Sequence, residues 1–277
     1  MQTTTWASFP HDSGPYEYPG DGLAQAWPEL HRGDQEPFPD VARIQALDPD
    51  CKSAEATAVA LQQAWRDFHA GRFAAAVDRA QAIGLIAHAV ANKASGIYAD
   101  YLEDDDEVKL AIYQTGIQRA EAAIKAFPDD ANAHYFRAFL LGRYSQCISV
   151  TKALAEGVAG KIRQSLDRTL KLAPKHAEAL TASGLYHAEI IDKVGKLIGS
   201  MTYGASADKS IADCKKALML SPEAPIAALE YGNALYLLYG DKRLDESNQA
   251  YQKAAAAQAI DAMQKLDMEY ARAYLES

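Results

Sequence analysis

His187, Glu189, Asp192 and Lys193 place a base, two acids and an amine within seven residues. Brought to one point, such a set could move a proton or hold a divalent cation. Helical geometry separates them. At about 100° per residue, His187 and Glu189 point about 200° apart and cannot share a metal ion on one regular helix. Glu189 with Lys193, and Asp192 with Lys196, have the i, i+4 order of helical ion pairs instead. The four residues are therefore read as a secondary polar cluster on a helix surface. A larger site would need His134 or His176 brought to His187 from other hairpins.

Other chemistry is harder to find. Ala155-Glu156-Gly157-Val158-Ala159-Gly160-Lys161-Ile162 is the nearest string to a phosphate loop, but it lacks the first glycine and the hydroxyl after the lysine. No Gly-x-Ser-x-Gly elbow, Cys-x-x-Cys pair or His-Glu-x-x-His occurs. Cys51, Cys147 and Cys214 are odd in number and scattered, which suits reduced thiols better than a disulfide framework or a zinc site. The expectation is a protein without a catalytic residue, cofactor or metal.

The elements that would position these residues are marked by a repeated phrase. Lys125-Ala126-Phe127-Pro128, Lys171-Leu172-Ala173-Pro174 and Met219-Leu220-Ser221-Pro222 each end one apolar helical pattern and lead into another. Proline lacks an N–H and clashes with the preceding turn, so each marks the end of a helix. Pro225 has the fixed φ that suits a first helical turn. Alanine and other strong helix formers dominate after residue 53, and the alternation that strands need is missing, so an all-α fold is predicted.

The chain reads as a stack of antiparallel hairpins. Leu61, Ala64, Trp65 and Phe68, with Phe73, Ala76, Val77 and Ala80 after Gly71, have amphipathic spacing. A second pair covers about 85–102 and 106–127, with the acidic run Glu103–Glu107 as a solvated turn before a helix start. Third and fourth pairs cover 131–172 and 177–220, a fifth 225–258, and a capping helix closes the chain. Pro128, Pro174 and Pro222 are 46 and 48 residues apart, against about 34 in an ordinary tetratricopeptide unit. The extra dozen residues either lengthen the helices or fill an inter-helix loop. Gly195 and Gly199 are expected to admit another helix or the N-terminal segment.

Residues 1–50 differ in composition: they are rich in proline and glycine, yet carry Trp6, Tyr16, Tyr18, Trp27 and Phe38. They are read as an extended arm, partly docked through Tyr16 to Phe38 and able to regulate the array. Residues 53–258 form about five hairpins and 259–277 the cap. A formal net charge of −9 disfavours nucleic acid, whose binding rests on Lys and Arg. No apolar run of membrane-spanning length appears, and Met1–Trp6 shows no signal core, so a cytoplasmic protein without membrane insertion is expected.

The hairpins from about Leu61 to Ala254 resemble tetratricopeptide repeats, with small residues proposed at helix contacts: Ala138 with Thr169, Gly184 with Ala217, Gly232 with Ala254. Leu141-Gly142-Arg143-Tyr144, the long insert, Tyr186-His187-Ala188-Glu189 and the run Lys193–Gly204 resemble the regulator of microtubule dynamics family and its uncharacterised bacterial relatives. The lengthened hairpins are also similar to those of a lipoprotein component of certain periplasmic solute transporters, although no lipobox cysteine follows an apolar leader. These resemblances imply a right-handed superhelical α-solenoid that binds other molecules without an agreed chemical activity. In such arrays first helices line the concave face. By phase that face includes Asn92, Asn132, Tyr135, Phe139, Arg143, Thr181, Leu185, Leu229, Asn233 and Tyr236. Asn and Arg can hold a peptide backbone or carboxylate and the aromatics its side chains. The function expected is a non-catalytic scaffold for a protein or peptide segment. The alternative is a small-molecule carrier with an apolar pocket near Leu185, Ile191, Leu197 and Tyr203.

Overall fold

The structure, a computed structural model, describes residues 6–276; the reading of Met1–Thr5 as lacking a signal core and the end of the cap at Ser277 lie outside it. Among the described residues the chain is helical, with no strand. The helices are α1 Gly22–Leu30, α2 Val41–Leu47, α3 Ala54–His69, α4 Phe73–Ile83, α5 His88–Tyr101, α6 Asp106–Ala126, α7 Ala131–Gln146, α8 Val150–Ala155, α9 Val158–Leu172, α10 Ala177–Val194, α11 Lys196–Tyr203, α12 Ala207–Leu220, α13 Pro225–Tyr239, α14 Leu244–Ala255 and α15 Ala262–Glu276.

The punctuation works as local chemistry requires. α6, α9 and α12 each end two residues before a proline, at Pro128, Pro174 and Pro222. Two of the following helices start on a side chain that accepts a backbone N–H: Asp130 caps α7 and His176 caps α10. Asp105, from the acidic run, caps α6 in the same way.

The chain divides into two compact units. The first takes the chain up to His31, Glu36–Glu156 and Asp261–Met263; the second takes Arg32–Gln35, Gly157–Ile260 and the chain from Gln264. The segment 131–172, expected as one hairpin, is split: α7 and α8 belong to the first unit and α9 to the second. The dozen extra residues of the third and fourth hairpins form short helices of their own, α8 and α11. They do so because glycines in left-handed or otherwise positive-φ conformations, Gly157, Gly195 and Gly204, turn the chain at their ends.

In the first unit α3 packs on α4, α4 on α5, α5 on α6, and α7 on both α5 and α6. Gly96 leaves no room for a Cβ against the Phe139 ring, so α7 lies directly on α5 there. Among its described residues, the segment before α3, expected as an extended arm, holds two short α-helices, α1 and α2. α1 turns Leu23, Trp27 and Leu30 to one buried side at i, i+4, i+7, an amphipathic signal that Pro28 within the helix obscures. The Trp27 ring meets Trp65 edge-on at 5.6 Å and stacks on His31 at 3.9 Å, and its Nε1–H donates to the Glu36 carbonyl at 2.8 Å.

In the second unit α10 packs on α12 and α13, and α13 on α14. The glycines make close contact one to two turns away from the expected partners. Gly184 faces Cys214 and Ser210, not Ala217, and the Ser210 hydroxyl donates to the Gly184 carbonyl at 2.7 Å. Gly232 faces the Ser247 carbonyl and Tyr251, not Ala254. Gly195 contradicts the expected close approach: its φ is +80° and nothing lies near its missing Cβ, so it serves the α10–α11 turn.

Candidate functional site

The first helices carry the residues that the phase of the sequence put on one face. In the first unit these are on α5 and α7. Asn92 is wholly buried on α5, and its Oδ1 accepts from an Arg119 guanidinium N–H at 2.8 Å. Asn132 is buried in the first turn of α7 and donates through Nδ2 to Glu36 Oε2 at 2.6 Å. Tyr135 is buried, stacked beside Phe139 with ring centres 6.3 Å apart. Phe139 is half-buried and lies under Arg143, whose guanidinium carbon is 5.8 Å from the ring centre. Arg143 in turn pairs with Asp100 at 3.1 Å. Tyr135, Phe139 and Arg143 therefore form one strip along α7.

In the second unit they are on α10 and α13. Thr181 and Leu229 are buried, the latter in a core with Ala228, Tyr251, Ala254 and Ala271. Leu185 is half-buried. Asn233 donates to Glu230 at 2.7 Å and accepts from the Tyr251 hydroxyl at 2.5 Å. Tyr236, one turn on, is 47% exposed.

The polar cluster does not assemble as a site. Glu189 and Lys193 make their i, i+4 pair at 3.8 Å. Asp192 and Lys196 fall on opposite sides of the break at Gly195, so the second expected pair is not formed. His187 is buried, and burial, with Lys209 of α12 beside it, lowers its pKa to about 4. His134 bonds to the Pro128 carbonyl, and His176 is spent on its helix cap. Of the residues expected to line an apolar pocket, Leu185, Ile191 and Tyr203 are half-buried, whereas Leu197 is 73% exposed on α11, and its neighbours Ile198 and Met201 are exposed as well.

Long-range polar groups went unseen in the sequence. Asp130, besides capping α7, receives Arg43 of α2 and lies 3.7 Å from His88 Nε2. Burial alone would raise the Asp130 carboxyl pKa, but His88 and Arg43 hold it well below the usual range. Ser183 donates to Asp213 at 2.7 Å and Lys209 bonds the same oxygen at 2.6 Å. Only the helix-capping position of Asp130 had a local sequence signal. Among the described residues no group of three or more His, Cys, Asp or Glu is placed to hold a metal ion, and no helix is long and apolar enough to cross a membrane.

Successive antiparallel helical pairs of this kind define a tetratricopeptide-like α-solenoid. The crystal structure of a thermophilic TPR protein in Thermus thermophilus has the same fold: it matches 78% of this chain and 99% of that one, with a TM-score of 0.55 and 16% sequence identity. No curated protein matches the sequence. The family described as Regulator of microtubule dynamics protein 1-3 matches over residues 87–276, and the chain belongs to that family.

Proposed function

We propose that the protein is a non-catalytic, cytoplasmic scaffold that holds a polypeptide segment against the first helices of its hairpins. The observation that carries this reading is the α7 strip, where Arg143 lies across the partly exposed Phe139 ring with Tyr135 beside it. An aromatic face next to a guanidinium suits a peptide side chain and a nearby carboxylate, and Arg and aromatic residues dominate binding energy in interfaces. On α13, Tyr236 offers an exposed aromatic ring one turn beyond the Asn233 amide, without a guanidinium beside it among the described residues. The TPR-like fold supports protein binding in general. Residues 1–50 are read as an arm, 53–258 as the repeats and 259–277 as the cap. Glu36 of the arm already occupies the Asn132 amide, which gives the arm a means of limiting access to that end of α7.

The test is Arg143→Glu in the full chain. Microtubules, from the family's description, are the first partner to try by co-sedimentation, followed by polypeptides recovered with the purified protein. Charge reversal at a central contact is expected to weaken binding about tenfold or more. Unchanged binding of every partner would remove the α7 strip from the account.

A further inference from the structure

Arg119 is a cation without a counter-ion among the described residues. It lies on α6, partly buried against α5, and it donates to the neutral Asn92 amide oxygen at 2.8 Å. No carboxylate among the described residues pairs with it, whereas Arg43, Arg72, Arg79, Arg137, Arg143, Arg243 and Arg272 each have one. Burial holds the Arg119 pKa below its ordinary value, with no nearby charge to oppose the effect. A guanidinium moved out of water without a partner is costly, and the cost is recovered when an anion meets it.

The second observation is on Asn92 itself. Its side chain is wholly buried and its Nδ2 amide group has no hydrogen-bond partner. Because Oδ1 of the same amide is bonded to Arg119, this orphaned donor sits beside the guanidinium. Gly116, on α6, is what lets Asn92 come so close: a Cβ there would be 3.4 Å from Asn92 Oδ1 and 2.7 Å from Leu140 Cδ1. Asn92 and Arg119 together thus present several N–H donors, no acceptor in need of a donor, and an apolar neighbour in Leu140. That is the chemistry of an oxyanion receptor, since a planar guanidinium fork matches the two oxygens of a carboxylate or phosphate.

We infer that Arg119 and Asn92 form a binding site for a small oxyanion, a carboxylate or phosphate group, within the second hairpin. The site is separate from the α7 strip and does not depend on the polypeptide-binding reading. The tests use the full chain with acetate and with inorganic phosphate, against chloride at equal ionic strength. In protein labelled with ¹⁵N-arginine, the Arg119 Nε–Hε resonance should move saturably with one of the two anions and not with chloride. A response to acetate alone identifies a carboxylate, and a response to phosphate alone a phosphate. Arg119→Met should abolish the anion-dependent rise in melting temperature, while its melting temperature in chloride stays level or increases. If Arg119→Met does not fold, Asn92→Leu and the wild-type resonance titration remain decisive: the leucine variant should bind about tenfold more weakly. No saturable shift with either anion, or an equal thermal response in wild type and variant, would overturn the site.

Discussion

His69 Nδ1 and Asp261 Oδ2 are 3.0 Å apart, both buried, and separated by 192 residues of chain. The contact ties the end of α3 to the residue just before α15, and both residues belong to the first compact unit. His69 Nε2 is also buried without a hydrogen-bond partner, so Asp261 is the side chain that satisfies this imidazole. Asp261→Ala should therefore destabilise the protein by about 1–3 kcal/mol, the cost of stranding a buried polar group. Denaturant unfolding of the two proteins checks this, and an unchanged midpoint would show that the contact contributes nothing.

Two glycines should respond oppositely to the same substitution. Gly184 is hemmed in by the Ser210 carbonyl and Cys214 of α12, and a Cβ would come within 2.9 Å of that carbonyl oxygen. Gly184→Ala should cost about 1–3 kcal/mol through overpacking. Gly142 lies inside α7 with nothing near its missing Cβ, and Gly142→Ala should stabilise the fold by about 0.5–1 kcal/mol. Thermal melts of both variants test the packing directly; the same sign for both would contradict it.

His187 links stability to pH. Burial, with Lys209 nearby, lowers its pKa from 6.5 to about 4, so on acidification the unfolded chain takes up the proton first. The stability contributed is complete above about pH 6.5 and is lost as pH falls toward 4. Denaturant midpoints measured across that window should fall less steeply in His187→Gln than in wild type. Parallel pH profiles would show that His187 is not the group responsible.

Asp130 combines a helix cap with a buried ion pair. Its Oδ1 accepts the backbone N–H groups of Asn132 and Ala133 at 2.9 and 3.2 Å, while Oδ2 meets Arg43 and faces His88. Asp130→Ala removes all of these, at an expected cost of about 3–5 kcal/mol. Arg43→Ala leaves the cap and His88 in place and should cost less. Equal losses in chemical denaturation would mean that Arg43, not the cap, dominates at this corner.

Local punctuation made the helices legible: Pro128, Pro174 and Pro222 stop helices near where a chain lacking one N–H must stop. Register was not legible, because it depends on what lies between the paired helices. Gly184 meets Cys214 and Ser210, one and two turns from the expected Ala217, after a connection occupied by α11. Which helices carry the candidate residues was legible, but their burial was not. Periodicity puts Asn132 and Phe139 on α7, but Glu36, 96 residues upstream of Asn132, is what covers the first of them. α1 was hidden by Pro28 within it, although Leu23, Trp27 and Leu30 carry the spacing of a buried helix face.

Whether the first helices hold a polypeptide is tested most directly by site-specific photo-crosslinking in the full chain. A crosslinking side chain at Phe139 or Tyr236 should give a polypeptide adduct of defined mass that Arg143→Glu diminishes at Phe139. Met219, 81% exposed on the second helix α12, is the control and should give none. Adducts of equal yield at Met219, or none at either first-helix position, would contradict the account.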